Sequence, residues 1–225
     1  MDRVLLRRPR SVVFDMDGLM LDTEPLAARA WSDAARSCGV PFDDVVTHRM
    51  IGRTFVDCRV LLVDHHGSDY PVDTLMNAWG DAYDSIIARE GLTMKPGLVE
   101  LLDWLEVNDI RKAVATSTRH ARARTKLERT GILDRFAAVV GGDQVANGKP
   151  APDIFIAAVE RLASAPRDCL VLEDSEAGLV AAARAGIPAI AIPDLVAAPG
   201  VVLGHPPMVM RSLHEVRQHL DALPA

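Results

Sequence analysis

Short apolar runs recur along the chain at residues 11–14 (SVVF), 112–115 (KAVA), 137–140 (AAVV), 169–172 (CLVL) and 188–192 (PAIAI), with 207–210 (PMVM) as a last candidate. Runs this short, apolar at consecutive positions, read as strands covered on both faces. Helical spacing fills most of the intervals. Apolar residues fall at 98, 101, 102 and 105, and again at 154, 155, 158, 159 and 162. Residues 175–185 open on a capping serine, Ser175, and stop before Gly186. Ser212 and Glu215 have the spacing of a capping box that starts a final helix. Strand and helix in alternation predict an α/β fold, with a mostly parallel sheet, right-handed crossovers and helices on both faces.

One region breaks the rhythm. From about residue 24 to residue 90 there are helical patterns and no convincing strand. Residues 26–38 end at Gly39 and Pro41, residues 54–66 at Gly67, and residues 72–89 at Gly91. The pattern predicts a discontinuous Rossmann-like core, residues 1–23 and 92–225, with a helical cap inserted at 24–91. Ligands of a parallel sheet bind beyond the carboxyl ends of its strands. An insertion that follows the first strand is therefore expected to sit over such a site as a lid.

Composition narrows the classes. The chain has 225 residues, 49% of them hydrophobic, enough for a sizeable core, and a formal net charge of −6. Nucleic-acid binding is not expected, because its electrostatic footprint is a basic surface. A small anionic ligand is compatible, since local positive groups outweigh net charge. Cys38, Cys58 and Cys169 form no metal or redox spacing and read as reduced thiols. The basic start lacks the apolar run of a signal peptide, and no run approaches membrane-spanning length. A cytoplasmic protein is expected, with no membrane partner and no nucleic-acid partner. Nothing in the sequence fixes the oligomeric state; a monomer is favoured.

Four polar clusters follow predicted strands. The first strand runs into Asp15-Met16-Asp17-Gly18. Two carboxylates this close split their pKa values, so one can act as a nucleophile and the other as a proton carrier. Alone, the segment fits a solvated acidic turn equally well. Thr116-Ser117-Thr118 offers hydroxyls and backbone N–H groups at a strand end, an anion site or plain helix capping. Lys149, held between Gly148 and Pro150, is either a fixed charge near the aspartates or a surface turn. Glu173-Asp174 offers oxygen ligands of the kind Mg²⁺ takes, or an N-cap pair. Together the four clusters fall on the carboxyl side of one sheet, in an order that chance would rarely produce.

The set Asp15-x-Asp17-Gly18, Thr116-Ser117, Lys149-Pro150 and Glu173-Asp174 resembles the four motifs of the haloacid dehalogenase superfamily. VFDMDGLMLDTEP, GKPAPDIF and LVLEDSEAG resemble its subgroup of sugar-phosphate phosphatases and β-phosphoglucomutase. The resemblance implies a Mg²⁺-dependent phosphatase acting on a small phosphorylated metabolite. It implies Asp15 as the nucleophile that becomes an aspartyl phosphate and Asp17 as acid and base. Thr116 and Ser117 would bind phosphoryl oxygens, and Lys149 would balance their charge. Asp15, Asp17 through its carbonyl, and Asp174 would hold the metal, with Glu173 beside it.

A dehalogenase proper lacks a second aspartate where this chain has Asp17. A mutase resembling β-phosphoglucomutase carries a histidine where this chain has Ala27, so hydrolysis is favoured over the mutase alternative. A phospho-receiver module carries its acids before the acceptor strand and is half as long. Substrate choice is expected from the insertion. Arg53, after Gly52, is the candidate substrate-binding residue there, whereas His48 and Arg49 read as solvent-facing charges. Trp31, Trp79 and Cys58 read as core.

Overall fold

The computed structural model describes residues 7–50, 55–195 and 197–224, apart from the side chains of Asp44, His48 and Asp57. The chain divides into two units, Met1–Leu21 with Met94–Ala225, and Asp22–Thr93.

In the first unit the strands are β1 (Ser11–Phe14), β2 (Arg111–Thr116), β3 (Ala138–Gly141), β4 (Cys169–Glu173), β5 (Ala189–Ala191) and β6 (Met208–Val209). They form one parallel sheet in the order β3-β2-β1-β4-β5-β6. This is the doubly wound Rossmann-like order, whose direction of winding reverses beside β1. The register sets Phe14 level with Val114 on one side and Leu172 on the other. The ends of the three central strands therefore lie side by side.

The helices of this unit are α5 (Leu98–Val107), α6 (His120–Arg129), α7 (Asp153–Arg161), α8 (Glu176–Ala185) and α9 (Leu213–Ala222). Val13, Ala113, Ala115 and Val171 pack with Ile154, Phe155 and Ala158 of α7 and with Ala181 and Ala182 of α8. Strand side chains alternate faces, so Val12, Phe14 and Val114 point the other way, and they too are fully buried. Both faces are thus covered, which is why these strands read as unbroken apolar runs rather than as alternating ones. Ser212 caps α9 by accepting from the Glu215 N–H at 3.3 Å. The expected return bond is displaced by one residue: the Glu215 carboxylate accepts from the Arg211 N–H at 2.9 Å instead of from that of Ser212.

The chain leaves this unit after Leu21, which forms an antiparallel bridge with Met94. The Lys95 N–H donates to the Met20 carbonyl at 2.8 Å.

The second unit contains α1 (Glu24–Cys38), α2 (Asp44–Met50), α3 (Phe55–His66) and α4 (Val72–Glu90), and no strand among the described residues. Helices α1 and α4 form its spine, joined by Arg29 and Glu90 at 2.7 Å. Trp31 and Trp79 meet at 5.2 Å between ring centroids, and Tyr83 stacks on Trp79 at 4.8 Å. Cys58 is buried in the same cluster. The tryptophans and this thiol are core, as expected from the sequence. Cys169 is buried as well, while Cys38 is half-buried. No described helix is long and apolar enough to cross a membrane.

Candidate active site

Strand β1 carries Asp15 to the carboxyl edge of the sheet. The Asp15 N–H donates to the Leu172 carbonyl of β4 at 3.0 Å, extending the ladder one residue past the strand. The Asp15 side chain is 10% exposed, that of Lys149 is 4% and that of Glu173 is 0%. The Lys149 ammonium donates to Oδ1 of Asp15, and to Oε1 of Glu173 at 2.5 Å. Buried charges persist only when paired, and here one cation serves two anions. Burial pushes the Asp15 carboxyl up to about 7; the Lys149 charge opposes this, while Glu173 and Asp17 add to it. Burial alone would lower the Lys149 ammonium, but Asp15 and Glu173 outweigh it and hold the pKa above its ordinary value.

Glu173 is anchored from behind. Its Oε2 accepts from the Ser175 N–H at 2.8 Å and from the Ser175 hydroxyl at 2.9 Å. Ser175 also caps α8, accepting from the Gly178 N–H at 3.1 Å. A Cβ at Gly178 would strike the Glu173 carboxylate, so the first turn of α8 has no room for a side chain at that position. Both Glu173 oxygens are thus engaged, Oε1 with Lys149 and Oε2 with Ser175, beside the place expected for the metal.

Asp17, two residues after Asp15, is half-buried. Its Oδ1 accepts from Nζ of Lys126 at 2.6 Å and its Oδ2 from the Thr118 hydroxyl at 2.7 Å. Thr116, at the end of β2, is buried, and its Oγ1 accepts from the Thr118 N–H at 3.1 Å. Ser117 is exposed in the same turn. The end of β3 backs this turn closely. A Cβ at Gly142 would lie 2.5 Å from the Ser117 carbonyl oxygen, and the Gly142 N–H donates to the Thr118 carbonyl at 3.1 Å. Gly18 has φ +83°, and a Cβ there would collide with Oδ2 of Asp174 and lie 3.5 Å from Oδ2 of Asp194. Only glycine combines that dihedral with that space.

The sheet thus gathers Asp15, Asp17, Thr116, Lys149, Glu173 and Asp174 at one edge, with Ser117 at its border. Arg53 lies outside the described residues, as does the side chain of His48; Arg49 is exposed. Thr118 belongs to the row of strand-end hydroxyls read from the sequence, and its partner proves to be Asp17; Lys126 has no place in that reading. Lys126 belongs to α6, whose buried residues are Ala123, Lys126 and Leu127. A lysine sharing one helix stripe with Ala and Leu is the signal that marks it.

Fold and cluster together define an α/β enzyme with a carboxylate–lysine centre at the switch point of a doubly wound sheet. A family model described as haloacid dehalogenase-like hydrolase matches residues 9–186, and the chain belongs to that family. It is 34% identical over 177 residues to a phosphorylated carbohydrates phosphatase of Thermotoga maritima, covering 79% of this chain and 82% of that one. It is 32% identical over 191 residues to a β-phosphoglucomutase of Bacillus subtilis, covering 81% and 83% respectively. Among solved structures, CbbY from Rhodobacter sphaeroides in complex with phosphate superimposes with a TM-score of 0.80 at 26% identity, over 92% of this chain and 96% of that chain.

Proposed function

We propose that this chain, a phosphoric monoester hydrolase, depends on Mg²⁺ and transfers the phosphoryl group of a small phosphorylated metabolite, of the sugar-phosphate class, first to Asp15 and then to water. The observation that carries this reading is the buried Lys149 ammonium held between Asp15 and Glu173 at the ends of β1 and β4. The phosphorylated carbohydrates phosphatase relative supports the substrate class.

In the first step a carboxylate oxygen of Asp15 attacks phosphorus. The bond from phosphorus to the leaving oxygen breaks, and Asp17 gives that oxygen a proton. In the second step Asp17 takes a proton from water, which attacks the aspartyl phosphate and frees phosphate and Asp15. Thr116 and Ser117 donate to the phosphoryl oxygens. Lys149 offsets their charge and that of Asp15, and Glu173 fixes Lys149 in position. Splitting a slow hydrolysis into two displacements at a fixed carboxylate is nucleophilic catalysis, and the remainder is positioning and charge compensation. Asp17 meets Lys126 and Thr118 on the side chain that must hold and release the proton.

The residues fit a hard divalent cation. The donors are all oxygens, and the space left open at Gly18 lets Oδ2 of Asp174 lie against the loop that bears Asp15 and Asp17. Among the described residues no three metal-ligating side chains cluster. Asp15, Asp174 and the Asp17 carbonyl would hold the ion, with water completing its shell, as is usual for Mg²⁺. When bound, Mg²⁺ supplies positive charge that offsets the transferring phosphoryl group. The helical segment 24–91 is proposed as the substrate-selecting cap, with Arg53 as its candidate contact.

The test is phosphate release from a panel of sugar phosphates, phosphoglycolate and nucleoside monophosphates, with Mg²⁺ or with EDTA, beside Asp15→Asn. Release that needs Mg²⁺ and is lost in the variant supports the reading. Interconversion of hexose 1- and 6-phosphates without release would overturn it in favour of a mutase.

A further inference from the structure

Asp194 follows β5, outside the four polar clusters that follow β1 to β4. Its side chain is 9% exposed, so it is nine-tenths buried. Oδ1 accepts from Nζ of Lys95 at 2.5 Å. Oδ2 is buried and has no hydrogen-bond partner among the described residues. A buried carboxylate oxygen left without a partner carries its full desolvation penalty. Such an atom persists where something else satisfies it, commonly an ion or a water.

The direction of Oδ2 shows where that something sits. A side chain added at Gly18 would come within 3.5 Å of it and would collide with Oδ2 of Asp174. Both oxygens therefore face the same small space beside the Gly18 backbone, on the loop that starts with Asp15. The neighbouring cation, Lys95, already occupies the other oxygen of Asp194. The orphaned oxygen is thus the atom of Asp194 nearest the point where a Gly18 side chain would begin, a point that Oδ2 of Asp174 also borders.

We propose that Asp194 is a positioning residue of the cation site: its Oδ2 accepts a hydrogen bond from a water on the bound divalent cation and so orients that water and the ion. This rests on the divalent-cation part of the proposed function. It adds a carboxylate outside the four motifs, contributed by the strand next to β4. Outer partners of this kind change metal affinity by about 10–100-fold when removed.

The experiment is Mn²⁺ binding followed by electron paramagnetic resonance, on the folded full chain without substrate. Wild type, Asp174→Asn, Asp194→Asn and Lys95→Met are compared, with circular dichroism to verify the fold. Asn at 194 keeps an oxygen for Lys95 and loses the charge. Asp194→Asn is expected to weaken Mn²⁺ binding about tenfold or more. Lys95→Met is expected to leave it unchanged or tighten it. Unchanged affinity in Asp194→Asn, with binding lost in Asp174→Asn, overturns the role of Asp194 alone. Equal weakening in Asp194→Asn and Lys95→Met also overturns it, because Asp194 would then act only as an anchor for Lys95. Failure of the wild-type chain to bind Mn²⁺ overturns the cation site itself, and this inference with it.

Discussion

The Lys126 ammonium lies 2.6 Å from Oδ1 of Asp17, although the two residues are 109 positions apart. The lysine side chain is 5% exposed and the aspartate 22%. A lysine buried this deeply on α6 holds its partner in one orientation. Lys126→Met is expected to lower kcat by about 10–10²-fold, within the range of acid–base contributions, while the circular dichroism spectrum stays native. Steady-state kinetics on the best substrate decide it: an unchanged kcat would remove Lys126 from the machinery.

Asp15→Asn is expected to abolish turnover, and Asp17→Asn to lower it by more than the 10²–10⁴-fold typical of an acid–base group, because it disturbs the cation site as well. Single-turnover assays with a fixed substrate measure both. Wild-type-like rates in either variant would end the proposed mechanism.

Lys149 is shared by two buried anions, Asp15 and Glu173. Lys149→Met leaves both carboxylates facing each other without compensation. Removing one partner of a buried pair costs about 3–5 kcal/mol, and urea unfolding should show a loss of that size. A midpoint equal to wild type would mean that the carboxylates are satisfied some other way.

Much of this arrangement is legible in the sequence, and the parts that are not share a cause. The run at 11–14 is β1, and 169–172 extends by one residue to give β4, because strands covered on both faces are apolar at every position. The acids after β1 and β4, and Lys149 after β3, follow from their place beyond those strands. Periodicity does not announce helix α6, because HARARTKLER is polar nearly all round. Helix α2 is only a turn or two long. Lys126, Thr118 and Asp194 take their meaning from partners remote in the chain: the stripe that Lys126 shares with Ala123 and Leu127 marks its burial, but no local period names a partner.

Glu106 on α5 accepts from Lys112 at 2.9 Å and from Arg135 at 2.9 and 2.8 Å. Arg135, then Lys112, hold its carboxyl down to about 2, below the ordinary 4.5. A folded pKa below the unfolded one adds stability above the unfolded value and loses it as pH falls through the folded value. Glu106→Gln should therefore be less stable than wild type at pH 7, with the gap closing between about pH 4.5 and 2. Because nearly half of the carboxylate is exposed, the gap is expected to be about 1 kcal/mol. Urea unfolding across that pH range measures it, and a gap that widens toward low pH would contradict the assignment.

Gly178→Ala pushes a methyl group into the Glu173 carboxylate, and through it shifts Lys149. Overpacking of this kind costs about 1–3 kcal/mol, or about 2–4 °C in Tm for each kcal/mol in a chain of this size. Calorimetry and kinetics should fall together; a lower Tm with full activity would show that Glu173 does not govern Lys149.

The bridge between Leu21 and Met94, with the Lys95 N–H on the Met20 carbonyl, has a consequence for how the chain can change over time. It pins the two ends of the intervening segment together within the sheet-bearing unit. Closing a longer excursion between pinned ends costs only about 0.6 kcal/mol for each doubling of its length. Residues between those ends can be lengthened, shortened or exchanged almost without penalty to the sheet, so the sheet that carries Asp15 and the helical segment are free to diverge at different rates.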